Sequence, residues 1–121
     1  MNTHSEGNIT TASGNWSHAE GYRTTASGHY SHAEGSRCTA LGSYSHIEGF
    51  SSNNQSNVIK INSSTSNDAI ISAWNSKKFS LAKGNYSSHV EGYDCLALDS
   101  ASHAEGWYTI ASGYSSHAEG Q

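Results

Sequence analysis

The sequence predicts an all-β chain wound as a parallel β-roll of 14-residue coils. Three observations predict it: a pentapeptide that returns every 14 residues, a second pentapeptide halfway between, and a composition of small residues that suits a thin interior. Ser-His-Ala-Glu-Gly begins at Ser17, Ser31, Ser102 and Ser116, with variants at Ser45 and Ser88 and a looser copy at Thr3. Starts at 3, 17, 31 and 45 are 14 apart, as are those at 88, 102 and 116. The second motif reads Thr-Thr-Ala-Ser-Gly from Thr10 and Thr24, Cys-Thr-Ala-Leu-Gly from Cys38 and Thr-Ile-Ala-Ser-Gly from Thr109, with weaker members from Ser80 and Cys95.

The common half-repeat is small-x-Ala-x-Gly-x-x. A helical heptad needs two large apolar positions, and these hold Ser, Thr, Ala and Gly. Glycine every seventh residue would also cost a helix about 1 kcal/mol each time. Strand alternation fits: positions 1, 3 and 5 share one face, 2 and 4 the other. Glycine is then expected to end each strand in a tight turn. Two halves make one coil, coils stack at ~4.8 Å, and Ser17, Ala19 and Gly21 face Thr24, Ala26 and Gly28 across a narrow interior.

Only 34% of the 121 residues are hydrophobic, and only 13% are charged. The first figure is low for a globule; the second is low for a disordered tail. An interior of methyl groups and hydroxyls buries little at ~25 cal/mol per Å², so oligomerisation is expected. Net charge is −4 with six Lys and Arg along the chain, which supplies no basic patch for nucleic acid. No apolar run approaches the ~20 residues of a membrane span, so no membrane insertion by this segment is expected. The N-terminus lacks a signal-peptide pattern. Because the repeats run to both ends uncapped, flanking domains and any export signal are expected outside this stretch.

The repeats resemble the head repeats of trimeric autotransporter adhesins, also called haemagglutinin-type repeats, and the Ser-His-Ala-Glu-Gly form resembles arrays in phage tail-fibre proteins. The resemblance spans residues 3–50 and 80–121. It implies a left-handed roll, a homotrimer around one axis, and adhesion or fibre construction at a cell surface or on a virion tail fibre. It also implies that aliphatic residues in one half of each coil face the axis; those of the Thr-x-Ala-x-Gly half are Leu41, Leu96, Leu98 and Ile110. The expected partner is a host-surface protein or glycan.

Residues 1–50 and 80–121 are thus read as roll, and 51–79 as an irregular segment. Ser45 and Ser80 are 35 residues apart, five half-repeats, which allows two degenerate coils in register. A hairpin with strands near 57–62 and 69–74 is the other β reading, and Asn67-Asp68 capping a short helix is the third. β structure is the expectation, and an excursion here is a candidate for specific binding.

His and Glu recur together at His18/Glu20, His32/Glu34, His46/Glu48, His89/Glu91, His103/Glu105 and His117/Glu119. A Ser-His-Glu triad is excluded because Ser17 lies on the opposite strand face from His18 and Glu20; no enzyme is expected. Extended strands space His and Glu ~6.5–7 Å apart at Cβ, so no metal and no cofactor are expected. The expected role is structural: stacked carboxylates repel, and an imidazole ladder beside them offsets this, tying coils or chains together. Residues after the glycine vary (Tyr22, Ser36, Phe50, Tyr93, Trp107) while His-x-Glu does not. The aromatics flank the strands at turns, where they cover corners; an alternative is a carbohydrate-binding ribbon. The Thr11/Ser13 and Thr25/Ser27 hydroxyls would suit an ice-binding face, but the array lapses at Leu41 and Leu98. Cys38 and Cys95 occupy inward positions two coils apart, ~10 Å, beyond the ~7 Å disulfide limit.

Overall fold

A computed structural model describes residues 2–62 and 64–120. Met1, Ser63 and Gln121, which fall within the roll and excursion spans above, lie outside the described residues. The alternation of small and polar residues produces two parallel sheets back to back. Long strands β1 (His4–Asn8), β3 (His18–Tyr22), β5 (His32–Ser36), β7 (His46–Phe50), β9 (His89–Tyr93), β11 (His103–Trp107) and β13 (His117–Gly120) form one. Short strands β2 (Thr11–Ala12), β4 (Thr25–Ala26), β6 (Thr39–Ala40), β8 (Leu81–Ala82), β10 (Leu96–Ala97) and β12 (Ile110–Ala111) form the other. His, Glu and Gly of the long strands pair with their own kind one coil on: His18 with His32, Glu20 with Glu34, Gly21 with Gly35. Seven rungs at ~4.8 Å make a short rod.

The interior is the alanine column expected: Ala19, Ala26, Ala33, Ala40, Ala82, Ala97 and Ala104, widened by Ile47 and Val90. Beside it runs a column of small polar groups that hydrogen-bond to the chain's own carbonyls. Thr24 Oγ1 donates to Glu20 O (3.1 Å) and Thr109 Oγ1 to Glu105 O (3.1 Å). Cys38 and Cys95 occupy the same column, donating to Gly49 O and Gly106 O at 3.4 Å. Both are free thiols, and burial pushes Cys38 up to about 12.

Glycine does two different jobs. In the short-strand half, Gly28 and Gly42 are buried, as expected. In the long-strand half the glycine is exposed and does not end the strand: β3 runs through Gly21 (φ 115°) to Tyr22. Corners fall instead on non-glycine residues in the left-handed region, spaced by seven: Ile9, Trp16, Arg23, Tyr30, Arg37 and Tyr44. Each costs ~1–2 kcal/mol. The cost is offset by a backbone ladder between corners, such as Arg37 N–H to Tyr22 O (2.7 Å) and Tyr44 N–H to His29 O (2.8 Å).

Residues 51–79 correct the β expectation. They contain helices α1 (Gln55–Val58) and α2 (Asn67–Ser76). They are not degenerate coils, because β7 pairs directly with β9 and β6 with β8. Ser66 caps α2 by accepting from Ala69 N–H (3.1 Å), and Asp68 sits in the first turn. Ile70 and Trp74, four residues apart, point to one face and are buried. The 57–62 stretch forms no strand; Val58, Ile59 and Ile61 are half-buried against the same apolar cluster. The excursion leaves and returns at one rung: Ser80 N–H donates to Ser51 Oγ (2.8 Å), and Ser80 Oγ to Phe50 O (3.0 Å).

Candidate functional site: the imidazole–carboxylate ladder

Alternation sends His and Glu of every long strand outward, and the 14-residue register stacks each on its own kind. The imidazoles of His4, His18, His32, His46, His89, His103 and His117 form one continuous stack, with centroids 4.6–4.8 Å apart. The step from His46 to His89, across the excursion, is 4.8 Å, like the others. Glu6, Glu20, Glu34, Glu48, Glu91, Glu105 and Glu119 form a parallel column through the same strand pairings. All twelve residues assigned to the ladder from sequence are therefore brought together.

The tips converge although the Cβ atoms are far apart. His18 Nε2 lies 3.5 Å from a Glu20 oxygen, and His32 Nε2 3.6 Å from a Glu34 oxygen. Towards the C-terminal end each imidazole stands between two carboxylates. His103 Nε2 is 3.6 Å from Glu91 and 3.9 Å from Glu105; His117 Nε2 is 3.3 Å from Glu105 and 3.9 Å from Glu119. The Nε2 atoms of His18, His32, His46, His89 and His103 are nonetheless shielded and without a hydrogen-bond partner. Ser31 Oγ and Ser45 Oγ, on the inner face, donate to the Gly28 and Gly42 carbonyls at 2.6 Å, so these hydroxyls serve the turns.

Stacked carboxylates compete for protons. The neighbouring carboxyls of Glu48 and Glu20 hold a proton on Glu34 and push it up to about 7. Glu20 and Glu48 are in turn lowered, chiefly by hydrogen bonding from Glu34. His32 and His46 are lowered by desolvation and then by their stacked neighbours. Between about pH 4.5 and about pH 7 the unfolded chain has lost the Glu34 proton while the folded chain keeps it. Stability from this group therefore falls as pH rises through that window. The two histidines act in the opposite sense, losing stability as pH falls. Glu34→Gln is expected to remove the falling component and raise the melting temperature at pH 8 in chelator-treated buffer. A pH–melting profile superimposable on the parent's would show that the column is not self-repulsive.

A groove runs beside the ladder. Its floor is Gly35, Gly49, Gly92 and Gly106, and the glutamates form one wall. Phe50, Tyr93 and Trp107 form the other: Phe50 stacks on Tyr93 at 4.7 Å, and Trp107 lies tilted 5.0 Å from Tyr93. A second aromatic column, Trp16, Tyr30 and Tyr44, stacks at 5.1 and 4.9 Å at the corners and is exposed.

The four residues assigned to a three-chain axis have another environment within this chain. Leu96 and Leu98 are buried with Leu81 under Ile70, Trp74 and Phe79, and Leu41 and Ile110 are half-buried against the same cluster. Helix α2 packs on the outer face of the short-strand sheet and covers Leu96 and Leu98. Sequence reasoning missed the latch that holds this excursion. Asp94 is fully buried and accepts from Ser52 N–H (2.6 Å) and Ser52 Oγ (2.5 Å), while Trp74 Nε1 donates to Asp94 O (3.3 Å). The signal was present: Asp94 stands at the corner position that Arg23 and Arg37 hold in earlier coils.

The family model of the YadA head domain repeat matches the chain in two copies, over residues 7–31 and 19–45. No curated protein and no solved structure matches it. Among the described residues no helix is long and apolar enough to cross a membrane. Of the seven long strands, β3 and β5 lie wholly within the matched stretch, and the same register continues through the remaining ones. Over residues 7–45 the repeats of this all-β parallel roll are therefore similar to the YadA head domain repeat.

Proposed function

We propose that the chain is a stiff head segment of a homotrimeric surface adhesin, which projects from the cell and presents its outer faces to a host protein or glycan. The observation that carries this reading is the unbroken pairing of His on His, Glu on Glu and Gly on Gly from β1 to β13, across a 29-residue excursion (51–79). Such a design builds length and rigidity. The ladder ties rungs together, each imidazole stacking on the next and lying beside a carboxylate. The thin alanine interior favours assembly, since one chain buries little apolar surface. Because Leu96 and Leu98 are covered by α2, the excursion and the half-buried Leu41 and Ile110 form the apolar side available to neighbouring chains.

Mass in solution tests the assembly. Sedimentation equilibrium is expected to return three times the 12.9 kDa chain mass. A monomer at high concentration, still giving a β-type dichroism spectrum, would overturn the trimer while leaving the roll intact.

A further inference from the structure

We propose that the imidazole–carboxylate ladder is a linear array of sites for divalent transition-metal ions of the zinc type. The ligands of each site are imidazole Nε2 atoms and carboxylate oxygens of successive rungs.

The first ground is convergence. Sets such as His18–Glu20–His32, His32–Glu34–His46 and His46–Glu48–His89 place all three donor atoms within 4.8 Å of one another, and six such sets step along the described rod. The 3.5 Å between His18 and Glu20 is what one ion spans with bonds of ~2.1 Å at an angle of about 113°, near tetrahedral; the second imidazole, stacked 4.7 Å away, must lean in on binding to come within the ~4.2 Å that two such bonds reach. The 6.5–7 Å expected from Cβ spacing argued against such a site; the side chains close that gap by leaning towards each other. At the C-terminal end the donor set is fuller: His103 Nε2 faces oxygens of both Glu91 and Glu105, with His117 Nε2 beyond.

The second ground is independent of the carboxylates. Five consecutive Nε2 atoms, from His18 to His103, are shielded from solvent yet have no hydrogen-bond partner. A shielded nitrogen left unpaired is costly, and a neutral imidazole nitrogen is a common metal ligand. Among the described residues the ladder glutamates have only imidazoles as basic partners within 4 Å. A mixed nitrogen–oxygen donor set selects zinc-like ions over magnesium, which favours oxygen ligands alone.

Spacing limits occupancy. Ions at adjacent steps would lie ~5 Å apart and repel, so alternate steps are filled, giving about three ions over six steps. The array depends on the register within one chain and does not require the trimer.

The test uses the whole chain, stripped with chelator and titrated calorimetrically with zinc chloride and, separately, magnesium chloride. Uptake is expected to saturate near three zinc ions per chain, with no comparable magnesium binding. Cobalt substitution should give the visible absorption of a four-coordinate site. H103Q/H117Q should remove about one ion of the three. His29→Gln should remove none, since His29 lies off the ladder and accepts from Asn15 N–H. If the double variant fails to fold, imidazole 15N resonances of the parent decide, because zinc must shift the ladder Nε2 signals. Uptake below one zinc ion, equal competition by magnesium, undiminished uptake by a folded H103Q/H117Q, or unmoved Nε2 resonances would each overturn the proposal.

Discussion

Gly35→Ala is expected to destabilise the roll by more than about 4 kcal/mol, the range reached only when a substitution has no relaxed solution. Gly35 has φ 110°, where an L side chain is strained, and an added Cβ would lie 2.1 Å from Gly49 O, 2.9 Å from Gly49 N and 3.0 Å from Gly49 C. All three are backbone atoms of the next rung. No side chain can swing aside, and the rung itself is held at strand spacing by its ladder hydrogen bonds. Two other glycines separate the contributions. Gly120 has φ 115° but no atom within 4 Å of an added Cβ, so Gly120→Ala carries the conformational strain alone, ~1–2 kcal/mol. Gly113 has ordinary φ and meets only Ser116 at 3.7 Å, so its alanine variant should unfold with the parent. Urea midpoints of the three variants check the order. Equal midpoints for Gly35→Ala and Gly120→Ala would show that rung-to-rung contact is not what excludes a side chain.

Phe79→Ala is expected to cost ~3–5 kcal/mol, the usual loss for emptying a buried aromatic site. Phe79 is wholly buried among Ile70, Trp74, Leu81, Leu96 and Leu98, where the excursion meets the short-strand sheet. The damage should be local. The excursion is anchored by this cluster and by the Asp94–Ser52 and Asp94–Trp74 hydrogen bonds, whereas the roll is held rung to rung. Residues 52–79 should lose protection against protease and hydrogen exchange, while the amides of β3, β5 and β11 keep theirs. Undocking would also uncover Leu96 and Leu98, so aggregation should rise. If protection were lost uniformly along the chain, excursion and roll would be one cooperative unit and the anchoring described above would be wrong.

Much of this was legible in the repeat. Ser17-His-Ala-Glu-Gly recurring at 14 placed alanines inside, His and Glu outside, and like over like, because strand alternation and a fixed period leave no other register. The excursion was less legible. Ile70-Ile71 reads as strand by β-branched propensity, yet Ser66 three residues before Ala69, Asp68 in the first turn, and the Ile70–Trp74 spacing satisfy a helix. The 35-residue separation of Ser45 and Ser80 matches five half-repeats by coincidence of length. The corners were hidden for a different reason: Trp16, Arg23 and Tyr30 are residue types that do not announce a positive φ, and neighbouring corners hold them there. The repeat places the ladder's residues on one face, but the closeness of their tips was not legible, since Cβ spacing says nothing of how two long side chains lean.

The meeting of Ser51 and Ser80 on a single rung has an evolutionary consequence. Whatever lies between them is bracketed, so it can be exchanged, lengthened or deleted without shifting any column above or below. In-frame gain or loss of one 14-residue unit elsewhere would likewise only change reach. The register of the roll and the sequence of the excursion are thus encoded separately, and selection can remodel the second while leaving the first alone.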